Sequence, residues 1–185
     1  MLFVSGKLNR QMYGSPIHPF VPSDALLNHA DKTSIWPKFN EKSASRRTVY
    51  AFVKRSLIIP MLEVLDLCDT TRTSPQRNVT TVPTQALTLY NGNFVMRQSR
   101  HLADRVNREV GDDFRKQIQR VWQLALTRSP SAKEETAALQ FLKQQLAELY
   151  AEKKDVKAKK NNSHKQALTQ LCRVIFNLNE FVYPD

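Results

Sequence analysis

The chain has 185 residues, 41% of them hydrophobic, with 4 glycines and a formal net charge of +11. That length suits one core-bearing domain, or one domain with a small appendage, and the scarcity of glycine argues against a sandwich or barrel built on many tight turns. The charge favours polyanions (nucleic acid, anionic lipid headgroups, acidic or sulfated glycans) without choosing among them.

No run of about 18 apolar residues occurs, so no membrane span is expected. The opening MLFVSGKLNR lacks the apolar stretch of a signal peptide. Cys68 and Cys172 form neither CxxC nor CxxCH. Both have apolar neighbours, where a free thiol behaves as a small hydrophobe. A single bridge between them is the other reading, and their redox state stays open.

Residues 1–40 have weak periodicity and contain Pro16, Pro19, Pro22 and Pro37. They predict an irregular arm, short strands being allowed, with a turn at Tyr13-Gly14-Ser15-Pro16. Phe20, Trp36 and Phe39 are its expected anchors. Residues 41–185 predict a mainly α fold, a compact bundle of about six helices. The first is expected at 44–57, with Val49, Phe52, Val53 and Leu57 on one face and Arg46, Arg47, Lys54 and Arg55 elsewhere. Met61 to Leu67 add another turn or two, carrying Glu63 and Asp66.

The stretch from Thr70 to Arg108 reads as the organiser of the chain. A polar loop runs to Thr81, a cap candidate. Pro83 suits a first helical turn, so 83–91 is a predicted helix, and its apolar Ala86, Leu87, Leu89 and Tyr90 place it at the centre of the bundle. Asn91-Gly92 breaks it. Asn93 is the expected cap of a helix at 94–109, with Val95, Ser99, Leu102, Ala103 and Val106 as the buried stripe.

Gly111 ends that helix, and Asp112 or Asp113 starts the next, at 113–127. Phe114, Ile118, Val121, Trp122 and Ala125 make it the clearest amphipathic helix in the chain. Arg128-Ser129-Pro130 turns the chain, and Ser131-Ala132-Lys133-Glu134 is a capping-box pattern. Leu139, Leu142, Leu146 and Leu149 then predict an antiparallel partner at 132–152. Residues 152–164 read as a basic connection. Ser163 is the expected cap of a last helix at 165–178, buried through Leu168, Leu171, Cys172, Ile175 and Leu178.

Chemistry is sparse. There is no phosphate loop, no GxSxG, and His18, His29, His101 and His164 have no metal-ligand spacing. Glu63 and Asp66 are one turn apart, as a catalytic pair can be, but solvated helix acids are far commoner. No catalytic residue, cofactor site or metal site is assigned. One constellation remains: Arg72, Arg77, Asn78, Thr81 and Gln85 around a helix N-terminus. It reads either as an anion site or as a structural latch. In the latch, the apolar terminus with Asn179 and Glu180 packs on the loop 70–82, and Glu180 pairs with Arg72 or Arg77.

Five segments, SGKLNRQMYG (5–14), SRRTVYAFVKRS (45–56), NVTTVPTQALTLYNGNFV (78–95), IQRVWQLALTRSPSAKE (118–134) and LCRVIFNLNEFVYPD (171–185), resemble one family. It is the planctomycete domain of unknown function 1553, the C-terminal domain of proteins that often carry a planctomycete cytochrome c domain. Val82 stands where Thr is common in relatives, which leaves the cap open. The resemblance implies that the chain is the C-terminal part of a longer, exported or periplasmic protein. Met1 is then an internal methionine or a start after truncation. Haem chemistry in relatives belongs to a separate N-terminal domain, and no catalytic residue carries over.

Three readings follow. The first is a non-catalytic structural or interaction module, partnered by the remainder of a larger polypeptide or its complex, with a basic face suited to an anionic glycan. The second is part of a polysaccharide-acting enzyme completed by a missing N-terminal region. The third, a basic nucleic-acid-binding module, is disfavoured because no aromatic interleaves the lysines of 152–165.

Overall fold

The computed structural model describes residues 1–26, 36, 37, 39–68, 73, 82–152 and 159–183. The chain is mainly helical, with no strand among the described residues. It divides into two compact units, Leu8–Thr88 on the one hand, and Met1–Lys7 with Leu89–Asp185 on the other.

In the first unit the chain forms short elements: α1 (Glu41–Ala44), 3-10 turns at Ser23–Leu26 and Thr48–Tyr50, and α2 (Pro60–Val64). Asn40 caps α1 through its side chain. Between these elements, isolated parallel bridges join Asn9 to Arg46 and Ile17 to Ala51. The helix expected at 44–57 therefore does not form. Its 3.6-residue pattern is outcompeted because the Tyr50 carbonyl and the Phe52 N–H bond to Ile17, and the Ser45 carbonyl to Asn9. Val49, Phe52 and Val53 are exposed in consequence, and only Leu57 of that face is buried. The unit's own small core is Val21, Trp36, Leu57 and Ile59, with Ala25, Leu26, Ala51 and Leu62 against it. Trp36 anchors the arm as expected, donating from Nε1 to the Pro19 carbonyl at 2.9 Å, and Phe20 meets Phe39 edge-on. Cys68 is exposed, contrary to the apolar surroundings its neighbours suggest, and both cysteines are free thiols.

Helix α3 (Pro83–Asn91) starts on proline as predicted. It is not a central helix. Gln85 and Leu89 are buried, while Ala86, Leu87 and Tyr90 are exposed.

In the second unit, four long helices follow: α4 (Asn93–Val110), α5 (Phe114–Leu126), α6 (Ala132–Glu152) and α7 (Lys159–Ile175). Each packs on the next, and α4 also packs on α7, closing a four-helix ring. The sequence signals account for most of the boundaries. Asp113 accepts from the Arg115 and Lys116 N–H groups, and Gly111 takes the φ of +73° that stops α4. Ser131 and Glu134 make the reciprocal capping box, at 2.7 and 3.3 Å. Two caps differ from expectation. Gly92, not Asn93, is the N-cap of α4. Ser163 lies inside α7, fully buried, because the helix already starts at Lys159; lysine is a good helix former.

The core of this unit contains Val95, Leu102, Val106, Ile118, Val121, Leu142, Leu168, Ile175 and Phe176, all nearly inaccessible. Trp122 and Leu171 are buried with them, as predicted, and so is Leu126, whereas Leu139 and Leu178 are half-buried. A last short helix, α8 (Asn179–Val182), contacts α5 and brings the Phe181 ring to 5.0 Å from that of Phe176.

Candidate functional site

The residues singled out from the sequence fall into separate places. Arg72, Arg77, Asn78 and Thr81 lie outside the described residues. Gln85 is buried and donates from Nε2 to Asp66 Oδ2 at 3.2 Å, so Asp66 is engaged structurally. Asn179 and Glu180 open α8 and are exposed.

Glu180 is held by Arg128. The guanidinium donates from Nε and Nη2 to both carboxylate oxygens, each at 2.7 Å. From Nη2 and Nη1 it also donates to Glu134, at 2.7 and 3.0 Å. Glu134 belongs at the same time to the capping box of α6, so one arginine ties the α5–α6 turn to α8. Bonds to Arg128 hold the Glu180 carboxyl below its ordinary range. Arg128 and the Ser131 N–H hold that of Glu134 far below it, and the two carboxylates raise the arginine further. The signal was present in the sequence: Arg128 stands six residues before a capping-box glutamate. Local pattern alone marks it as a turn residue.

The end of α3 is fastened by α7. Arg173 donates from Nε to the Tyr90 carbonyl at 2.6 Å and from Nη2 to Asn91 Oδ1 at 2.7 Å. Its guanidinium stacks over the Tyr90 ring at 3.8 Å. One turn on, Asn177 Nδ2 donates to the Leu89 carbonyl at 3.3 Å. Two carbonyls at the helix C-terminus, which have no intrahelical partner, are thereby satisfied. Of the polar residues in the terminal segment, Asn177 finds its partner at this helix end, whereas Glu180 is held by Arg128.

A third cluster centres on Arg46, which is 6% exposed. Its guanidinium donates to the carbonyls of Gln11, Tyr13 and Ser15 at 3.1, 2.6 and 2.9 Å and lies 4.0 Å over the Tyr50 ring. The Tyr50 hydroxyl accepts from the Tyr13 N–H at 3.2 Å. Both backbone polar groups of Tyr13 are thus held by side chains of the facing segment. Tyr13 sits at φ +61° and Gly14 at φ +87°, the pair of positive values that a type I′ turn requires. Tyrosine is rare there. The residue is 76% exposed, and Val49, on the facing segment, 75%.

A buried polar corner joins α5 and α7. Gln117, fully buried, donates from Nε2 to the Gly111 carbonyl at 2.5 Å. Its Oε1 therefore accepts from His164 Nε2, 3.0 Å away. The imidazole stacks on Phe114, centroids 4.0 Å apart. Burial pushes its pKa down, against the opposing pull of Asp112. Among the described residues, no group of three or more His, Cys, Asp or Glu side chains is placed to hold a metal ion, and no helix is long and apolar enough to cross a membrane.

These four clusters fasten one segment to another, and none presents a nucleophile beside a base. No curated protein and no solved structure matches the chain. A family model does match, over residues 1–142, and the motif segments at 5–14, 45–56, 78–95 and 118–134 lie within it. The chain belongs to the family described as Protein of unknown function (DUF1553).

Proposed function

We propose that this chain is a non-catalytic structural and interaction module of a larger polypeptide. By the resemblance of its motifs, that polypeptide is an exported, haem-associated planctomycete-type protein, and this is its C-terminal part. The observation that carries the reading is how the motif arginines are spent. Arg46 and Arg173 donate to backbone carbonyls, and Arg128 to two carboxylates that hold a terminal helix. Residues engaged in this way stabilise a scaffold and are withdrawn from substrate. The net charge of +11 suits an anionic partner, an anionic glycan being one.

The competing enzyme reading would use Glu63 and Asp66, the carboxylates one turn apart. Asp66 is engaged by Gln85 and stands at φ +58° just after α2. The test is product release from neutral and anionic polysaccharides by the purified chain, beside Glu63→Gln and Asp66→Asn variants. The module reading expects no release above buffer. Release that either substitution abolishes would contradict it.

A further inference from the structure

We propose that the loop Gln11–Pro16, with the facing turn Thr48–Tyr50, is a docking tip for an anionic lipid surface. The inference goes beyond the module reading and is tested separately from it.

Exposed apolar side chains scattered singly are ordinary on protein surfaces. Here Met12, Tyr13 and Val49, all well exposed, fall on two segments that run side by side between the Asn9–Arg46 and Ile17–Ala51 bridges. The loop that carries two of them is fixed in place. The Arg46 guanidinium takes three of its carbonyls, the Tyr50 hydroxyl takes the Tyr13 N–H, and the backbone bears a left-handed tyrosine. Strain of this kind persists only where the surroundings over-determine it. A loop held so needs little further ordering when it docks.

The two segments that form the tip carry charge of one sign. Residues 8–17 and 45–56 contain Arg10, Arg46, Arg47, Lys54 and Arg55 and no acidic residue. Arg46 is internal, while Arg47 and Arg55 are exposed. Cations near an anionic leaflet are each attracted to it. Tyrosine suits the headgroup level, with its ring in apolar surroundings and its hydroxyl wet. Met12 and Val49 supply the apolar surface that an interfacial element buries.

Other polyanions explain less. Single-stranded nucleic acid stacks successive bases on several rings along a cationic track. Here the Tyr50 ring is covered by Arg46, and Phe52 packs against His18 and Trp36. A glycan would use the Tyr13 face and leave Met12 and Val49 without a role.

The test is flotation of the intact chain with vesicles of phosphatidylcholine, with and without about one-third phosphatidylserine. The chain is expected to float with the anionic vesicles and to stay down with the neutral ones. Met12→Ser, Tyr13→Gly and Val49→Ser should each lower partitioning by about three- to tenfold while leaving the melting temperature within a few degrees of the parent. A Met12→Trp variant should be quenched by bromine-labelled lipid. The proposal is overturned by absence of flotation, or by flotation indifferent to all three substitutions, which would be bulk charge alone. It is equally overturned if the Tyr13→Gly change weakens binding of heparin or oligothymidylate while vesicles are not bound. None of these results touches the polysaccharide-release assay, so the two readings fail on different data.

Discussion

Arg46 donates from Nη2 to the carbonyl of Tyr13 at 2.6 Å, and Tyr13 is held there at φ +61°. The contact spans 33 residues of sequence and fixes a conformation that costs a non-glycine residue about 1–2 kcal/mol. Tyr13→Gly removes that strain, but it gives the unfolded chain freedom worth about 0.5–1 kcal/mol. Denaturant unfolding should therefore show stability unchanged, or raised by up to about 1 kcal/mol. A clear loss would mean that the exposed ring contributes packing.

Leu142 and Leu171 belong to the closed four-helix ring, the first fully and the second almost fully buried. Truncation of either to alanine should cost about 2–5 kcal/mol, the spread reflecting how far each site collapses. An unchanged melting temperature in both variants would contradict the core described above.

Ser163 is the reverse case. Its Oγ is buried and has no hydrogen-bond partner among the described residues, and an unmet hydroxyl costs about 1–3 kcal/mol. Ser163→Ala should raise the unfolding free energy by about 1 kcal/mol. A loss of stability would show that the hydroxyl has a partner in solution.

Two groups of side chains make stability depend on pH in separate windows. His164 lies below its ordinary 6.5 in the fold, so the unfolded chain takes up the proton first. Stability is then lost as pH falls below about 6.5. Glu134 and Glu180 lie below 4.5 in the fold. Their contribution is present above that value and is lost as pH falls through the folded pKa values. Unfolding followed from pH 8 downward should show both declines. His164→Gln should remove the upper one, and Glu180→Gln should shrink the lower one. A parent protein of constant stability between about pH 7 and 5 would contradict the His164 assignment.

The helices of the second unit were legible because local signals agreed with packing. The stripe Val95, Ser99, Leu102, Ala103 and Val106 is buried as its spacing implies, and Ser131-Glu134 caps as its pattern implies. The stretch 44–57 departs from its helical pattern for a physical reason. Val49, Phe52, Val53 and Leu57 have helical spacing, but bonds to residues 9–17 capture the backbone groups a helix would use, and nothing in local periodicity reports that. The apolarity of Ala86, Leu87 and Tyr90 points to the centre of the bundle but does not specify what covers them; Leu87 is 61% exposed. The fasteners were hardest to read. Arg46 and Arg173 act on groups far away in sequence, as Arg128 does on Glu180, and an arginine that donates to backbone carbonyls leaves no pattern of partner residues to find.

Arg46 is the clearest of the motif residues that fasten one segment to another. Amide hydrogen exchange on Arg46→Gln, with thermal unfolding alongside, tests this most directly. Loss of the fastener should speed exchange at the Tyr13 and Ile17 amides by at least about tenfold and lower the melting temperature. Unchanged protection at both amides, with an unchanged melting temperature, would contradict it.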